Sequence, residues 1–210
     1  MKKVVFLDRD GVINQDSPDY IKSWEEFHFI PGSLRAIKML TDAGYSCIVI
    51  SNQSLINRKM ITRSCLKEIH SQMKSIISAH GGHILDIFFC PHIPEDECRC
   101  RKPKPGLIFQ AVETHGIHLP DAIMIGDSEK DIESARRAGC GFAILVRTGN
   151  IAMAEKRLKQ KDLFPDHVAD DLFAAARWIV SRNISSGSHS TYHPNRSNGC
   201  RANRSIQRNR

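Results

Sequence analysis

Residues 3–11 read Lys-Val-Val-Phe-Leu-Asp-Arg-Asp-Gly: four apolar residues, Val4–Leu7, run straight into two carboxylates, Asp8 and Asp10, and a glycine. An uninterrupted apolar run of this length predicts a strand buried on both faces, as in a parallel sheet. Two acids two residues apart at its end can face one small ligand, and Gly11 permits a tight turn and close backbone approach. Like charges this close repel, which favours a divalent cation and pushes their proton affinities apart, so that one can act as nucleophile and the other as acid and base. Taken alone, Asp8-x-Asp10 reads equally well as a surface turn.

Working outward, the same grammar repeats. A polar, turn-rich segment runs from Asp8 to about Phe29, and Pro31-Gly32-Ser33 opens a helix that ends at Gly44. Ser46–Ile50 is a second strand, Ile61–Ala79 a helix and Ile84–Phe89 a third strand. Pro105–His115 is a helix closed by Gly116, Ala122–Ile125 a fourth strand, Ser128–Ala138 a helix closed by Gly139, and Phe142–Val146 a fifth strand. Ile151–Lys159 and Asp171–Arg182 complete the helices. Strands alternating with helices predict an α/β fold with a doubly wound, mostly parallel sheet, whose ligands bind beyond the carboxyl ends of the strands.

Three more segments follow strand ends. Ser51-Asn52-Gln53-Ser54 offers hydroxyls and amides suited to phosphoryl oxygens, although a helix cap or polar turn explains it better in isolation. Arg101-Lys102-Pro103-Lys104-Pro105-Gly106 holds a stiffened lysine that would neutralise a transferring phosphoryl group, or is a solvated basic loop. Gly126-Asp127-Ser128 places a carboxylate to meet the Asp8/Asp10 pair, with Asp131 on the next turn to brace it, or is an ordinary cap.

Seven cysteines in a chain without secretory features do not predict disulfides. Cys90-x-His92 and Cys98-x-Cys100 instead make a complete tetrahedral set of three thiols and an imidazole, which predicts a structural zinc with no open position. Of the remaining cysteines, Cys47 reads as core; the scattered histidines His28, His70, His80 and His83 read as surface or capping residues, and Trp24 and Trp178 as packing.

The 210 residues, 41% hydrophobic and 25% charged, fit one globular domain over residues 1–184 followed by a tail. No apolar run approaches a membrane span, so the reading is a cytoplasmic protein, expected as a monomer and without a membrane partner. Net charge is +7, but residues 185–210 hold five arginines and no acids, leaving +7 − 5 = +2 for the rest. That tail lacks the apolar content to order itself. A nucleic-acid binder using tail and zinc knuckle is the remote alternative, because no basic recognition helix follows the knuckle.

Together, Phe-Leu-Asp-Arg-Asp-Gly-Val-Ile-Asn, Ser-Asn-Gln-Ser, Arg-Lys-Pro-Lys-Pro-Gly and Ile-Gly-Asp-Ser-x-x-Asp resemble the haloacid dehalogenase superfamily over residues 3–150, and more narrowly its histidinol-phosphatase-like branch. Glu26-Phe27-x-Phe29-x-Pro31-Gly32 and the Cys-Pro-His loop followed by Cys-x-Cys are also similar to that branch. The resemblance implies a Rossmann-like core, and the absence of a long insertion between Ser54 and Cys90 predicts that it has no large cap domain. The resemblance also implies hydrolysis of a small phosphorylated substrate: the 7-phosphate of D-glycero-D-manno-heptose 1,7-bisphosphate, with histidinol phosphate or another sugar phosphate as alternatives. Asp8 would form an aspartyl-phosphate, Asp10 would move the proton, and Ser51 and Lys102 would hold phosphoryl oxygens. Magnesium would be bound by Asp8, the Asp10 carbonyl and Asp127. Asp16, Asp19, Tyr20, Asn52, Gln53, Ser54, Arg101 and Ser128 fall at substrate-contacting positions. The chain departs from the pattern at Leu55–Lys59, where a glycine-bearing segment is usual, and at Ser128, where a lysine is common.

Overall fold

The computed structural model describes residues 3–182, so the basic tail at 185–210 lies outside the described residues. Six strands, β1 (Lys3–Leu7), β2 (Tyr45–Asn52), β3 (Ile84–Cys90), β4 (Ile123–Gly126), β5 (Phe142–Val146) and β6 (His167–Ala169), form one sheet in the order β3-β2-β1-β4-β5-β6. Every pairing is parallel. The helices are α1 (Ser33–Asp42), α2 (Arg63–Ala79), α3 (Gly106–His115), α4 (Glu129–Ala138), α5 (Ile151–Gln160) and α6 (Leu172–Ser181).

Period-2 alternation sends successive residues of β1 to opposite faces. Val5 and Leu7 join α1, α2 and α6 in one core, with Ile37, Met73 and Ile179. Val4 and Phe6 join α3, α4 and α5 in the other, with Ile108, Ile132 and Leu158. Burial on both sides accounts for the unbroken apolar run.

The expected elements are present, several with ends shifted by one or two residues. A sixth strand, β6, pairs with β5 at the sheet edge. Helix α2 begins at Arg63 rather than Ile61, because the Thr62 hydroxyl accepts the Cys65 backbone N–H and caps the helix. The segment 8–29, expected to be polar, carries an aromatic cluster: Trp24 stacks on Phe27 at 5.0 Å, and Phe29 meets Phe27 edge-on at 5.1 Å. Between Ser54 and Cys90 lie only a turn region, α2 and β3, so no cap domain is inserted there. Among the described residues, no helix is long and apolar enough to cross a membrane.

The strand order reverses between β1 and β4, since the chain winds outward from β1 to β3 and then returns beside β1. Crevices form at such switch points outside the carboxyl ends of the strands. Here those ends carry Asp8, Ser51 and Asp127.

Candidate active site

A cavity of about 370 Å³ opens over this switch point, lined by Asp8, Asp10, Ser51, Lys102, Asp127 and the loops around them. Lys102 is its electrostatic centre. It is buried, and its ammonium lies 2.8 Å from Asp8 Oδ1 and 2.6 Å from Asp131 Oδ1, while donating to the Ile50 carbonyl at 2.9 Å. Burial works against the ammonium, but Asp131 and Asp8 more than compensate and raise its proton affinity above that of an ordinary lysine. Asp131 is 0% exposed and also accepts the Ser128 hydroxyl at 2.6 Å. The sequence offered a helix cap or a site brace for this pair, and the geometry makes it both.

Burial pushes the Asp8 carboxyl up to about 7, with Lys102 opposing and Asp131 and Asp10 adding to the rise. Asp127 is pushed up to about 8 by burial and then by the charges of Asp131 and Asp8. Oxygens of Asp8, Asp127 and Asp131 lie within 4.8 Å of one another. One ammonium, Lys102, is shared between Asp8 and Asp131, and Asp131 is further engaged by Ser128, so the three carboxylates outnumber the cation among them, and Asp8 with Asp127 offers a hard-oxygen donor set that fits magnesium. Gly11 and Gly149 make this arrangement possible: a Cβ on either would overlap the Asp127 carboxylate, and Gly11 also adopts φ +79°.

Asp10 is held differently. Burial would raise its proton affinity, but Arg9 overcomes this, helped by hydrogen bonds, and holds the carboxyl below the usual range. Arg9 donates to Oδ1 from Nε at 3.1 Å and Nη2 at 2.7 Å, Asn14 Nδ2 reaches the same oxygen at 2.9 Å, and Gln53 Nε2 donates to Oδ2 at 2.7 Å.

Most of the expected contact residues converge. Asp16, Tyr20, Ser51, Asn52, Gln53, Ser54, Arg101 and Ser128 all line the cavity, whereas Asp19 does not and instead offers its backbone carbonyl to Lys22 Nζ. The amides of two of them serve protein groups. Asn52 clamps the backbone of Lys102, accepting its N–H at 3.0 Å and donating to its carbonyl at 3.2 Å. Gln53 bridges Asp10 and Ser51 Oγ. Arg58, from the divergent Leu55–Lys59 segment, and Lys130, which the sequence did not single out, also line the cavity.

His70, expected to be a surface or capping residue, is a correction: it is 7% exposed and faces the Arg9 guanidinium, 3.3 Å from Nη1 to Nε2. Arginine only donates, so Nε2 accepts and the ring is neutral. Burial, and then the charge of Arg9, pull His70 down to about 3. The unfolded chain takes up this proton below about 6.5 and the folded one does not, so His70 erodes stability as pH falls from about 6.5 towards 3. Urea unfolding at pH 7, 6 and 5 is expected to show His70→Gln losing less stability than wild type, by up to about 1.4 kcal/mol per pH unit. Equal pH slopes for the two proteins would contradict this.

The Cys/His loop sits against the same cavity. Cys100 Sγ is 3.2 Å from Cys90 Sγ and 3.3 Å from His92 Nδ1, and all four donor atoms lie within 4.8 Å of one another with no disulfide among them. The knuckle is tied to the active site. Gln53 N–H donates to the Cys90 carbonyl at 2.7 Å, and Arg101 Nη1 donates to the His92 carbonyl at 3.0 Å.

A parallel α/β sheet with paired aspartates after β1, a hydroxyl at the end of β2, a lysine reaching in and further aspartates after β4 defines a phosphatase of the haloacid dehalogenase type. Comparison with known proteins agrees. The HAD-hydrolase-like family matches residues 99–175. The D-glycero-beta-D-manno-heptose-1,7-bisphosphate 7-phosphatase of Neisseria meningitidis is 40% identical over 184 residues, covering 86% of this chain and 96% of the relative. The enzyme of the same name from Pseudomonas aeruginosa is 40% identical over 180 residues, covering 85% and 98%. Among solved structures, the D,D-heptose 1,7-bisphosphate phosphatase of B. bronchiseptica, complexed with magnesium and phosphate, superposes with a TM-score of 0.79 at 39% identity, covering 87% of this chain and 99% of that one. The chain belongs to the family of the D-glycero-D-manno-heptose-1,7-bisphosphate 7-phosphatases.

Proposed function

We propose that this phosphatase removes the 7-phosphate of D-glycero-D-manno-heptose 1,7-bisphosphate, leaving the 1-phosphate on the sugar. The observation that carries this reading is a group of three cations at the cavity wall that have no carboxylate ion-pair partner among the described residues. Arg9 is matched to Asp10, and Lys102 to Asp8 and Asp131. Arg58, Arg101 and Lys130 also line the cavity, and none has a carboxylate ion-pair partner among the described residues. Such a rim suits a second anionic group beyond the scissile phosphate. Histidinol phosphate carries an ammonium group in that place and would meet like charge. The family's relatives named above act on heptose bisphosphate, which has the second phosphate.

The residues then divide the chemistry as follows. Asp8 attacks phosphorus in line, so an Asp8 oxygen–phosphorus bond forms as the bond from phosphorus to the C7 oxygen breaks. Lys102 and the Ser51 hydroxyl hold non-bridging oxygens, meeting charge where it builds. Asp10 delivers a proton to the leaving oxygen, and the incoming phosphoryl charge beside it raises its readiness to carry one. Water then attacks the aspartyl-phosphate while Asp10, again a carboxylate, takes the water's proton. Magnesium held by Asp8, Asp127 and the Asp10 carbonyl would neutralise phosphoryl charge and orient the group. The Cys90, His92, Cys98 and Cys100 set fits zinc, with a structural role that fixes Arg101 through the His92 carbonyl. Such thiolates persist in a reducing cytoplasm, and one chain supplies the whole cavity, so a monomer suffices.

Arg58→Ala and Lys130→Ala test the rim. Each is expected to raise KM for the bisphosphate about tenfold, with little change in kcat, because each removes one charge-assisted contact. The same variants are expected to leave KM for a sugar phosphate lacking the second phosphate unchanged. Equal effects on both substrates would count against the reading.

A further inference from the structure

Asp10 is the end of a buried chain of polar groups that runs away from the cavity, and this chain has no part in the chemistry described above. Arg9 is 1% exposed, a burial that charged side chains tolerate only when every contact is arranged. Its fork is divided: Nε and Nη2 both bind Asp10 Oδ1, and Nη1 points to His70 Nε2. The Phe27 ring lies 5.9 Å from the guanidinium carbon, and Phe89 stands edge-on to His70 at 5.8 Å, so both polar side chains are boxed in by aromatic surface. His70 lies on α2, which packs against the sheet through Ile69, Met73 and Ile77, so the anchor belongs to the rigid scaffold and not to a loop.

We infer that Arg9 and His70 are positioning residues that fix the rotamer of the Asp10 carboxylate, His70 acting by holding the far arm of the Arg9 fork. A guanidinium gripping one oxygen through two of its nitrogens leaves the carboxylate one orientation, with Oδ2 turned to Gln53 and the cavity. Without an acceptor at position 70, the buried Nη1 has no partner there and the fork can swing. A neutral acceptor is required: a leucine cannot bond the guanidinium, whereas the amide oxygen of a glutamine can. Misplacing a proton donor by a fraction of an ångström slows transfer to the leaving group and leaves substrate binding intact.

The inference rests on the reading that Asp10 moves the proton, and the test separates the two. Single-turnover transfer of the phosphoryl group to the enzyme is followed by rapid quench, per folded molecule, with two esters. One is the heptose bisphosphate, whose alkoxide must be protonated as it leaves; the other is p-nitrophenyl phosphate, whose phenolate leaves with little need of a proton. His70→Leu is expected to slow transfer from the alkyl ester about tenfold, to change that from the aryl ester less than twofold, and to leave KM for the bisphosphate within twofold. His70→Gln is expected to restore the alkyl rate. Arg9→Lys, which keeps the charge and loses the fork, is expected to behave like His70→Leu and serves if that variant does not fold. The inference is overturned if both esters slow equally, if neither slows, or if glutamine fails to rescue. Asp10→Asn is the control: if it too leaves the alkyl rate unchanged, the proton-transfer reading itself fails, and if it alone is slow, only the role of Arg9 and His70 does.

Discussion

Replacing Asp8 by asparagine is expected to lower phosphate release by about 10⁴-fold or more while raising the stability of the metal-free protein. The first effect follows from losing the nucleophile: an amide of the same shape cannot form the phospho-enzyme, and losses of this size are usual when a covalent step is removed. The second follows from where the carboxylate sits. Burial pushes Asp8 up to about 7 from an ordinary 3.8, so above neutral pH the fold holds a charge that the unfolded chain carries more easily. An acid with a raised folded value costs stability above that value and costs none once the pH falls below the ordinary one. Asparagine removes the charge, and Lys102 keeps its partner in Asp131. A rise of several degrees in Tm is expected at pH 8 without magnesium, since each kcal/mol is worth about 2–4 °C in a chain of this size. Calorimetry and phosphate assays on one preparation check both effects. Residual turnover near wild type would remove Asp8 from its role.

Lys102→Met is expected to fail on both counts. The ammonium lies between two carboxylates, one of them fully buried, and methionine leaves Asp131 with only the Ser128 hydroxyl and backbone N–H as donors. Breaking a buried pair by removing one partner typically costs about 3–5 kcal/mol. Turnover is expected to fall about 10²–10³-fold as well, the usual loss when a preorganised donor to the reacting group is removed. Asp131→Asn in the same protein separates the two effects: stability should recover substantially, because the orphaned charge is gone, while turnover should not. Recovery of turnover would mean that Lys102 acts only as a structural counter-ion.

The parts of this site legible in the sequence were those written in local pattern. The apolar runs of β1, β2 and β4 each end on a residue of the cavity, Asp8, Ser51 and Asp127, and the spacing of Cys90, His92, Cys98 and Cys100 anticipates their cluster. Strand β6 was not legible because three residues, His167–Ala169, at a sheet edge carry neither an apolar run nor alternation. Asn52 and Gln53 read as substrate ligands because amides suit phosphate, but whether an amide serves ligand or protein depends on residues 50 positions away, such as Lys102. His70 could have been found. Leu66, Ile69, His70, Met73 and Ile77 keep the spacing of one helix face, so an imidazole there was bound to be buried and to need a partner. Its partner, Arg9, was hidden between two acids that drew the functional reading.

The most direct test of the central claim is phosphate release, with magnesium, from D-glycero-D-manno-heptose 1,7-bisphosphate and from histidinol phosphate under the same conditions. The expected result is a kcat/KM at least about 10²-fold higher for the heptose, the scale on which an unmatched charge is rejected, with one phosphate released per sugar and the 1-phosphate retained. Preference for histidinol phosphate, or release of both phosphates from the heptose, would contradict it.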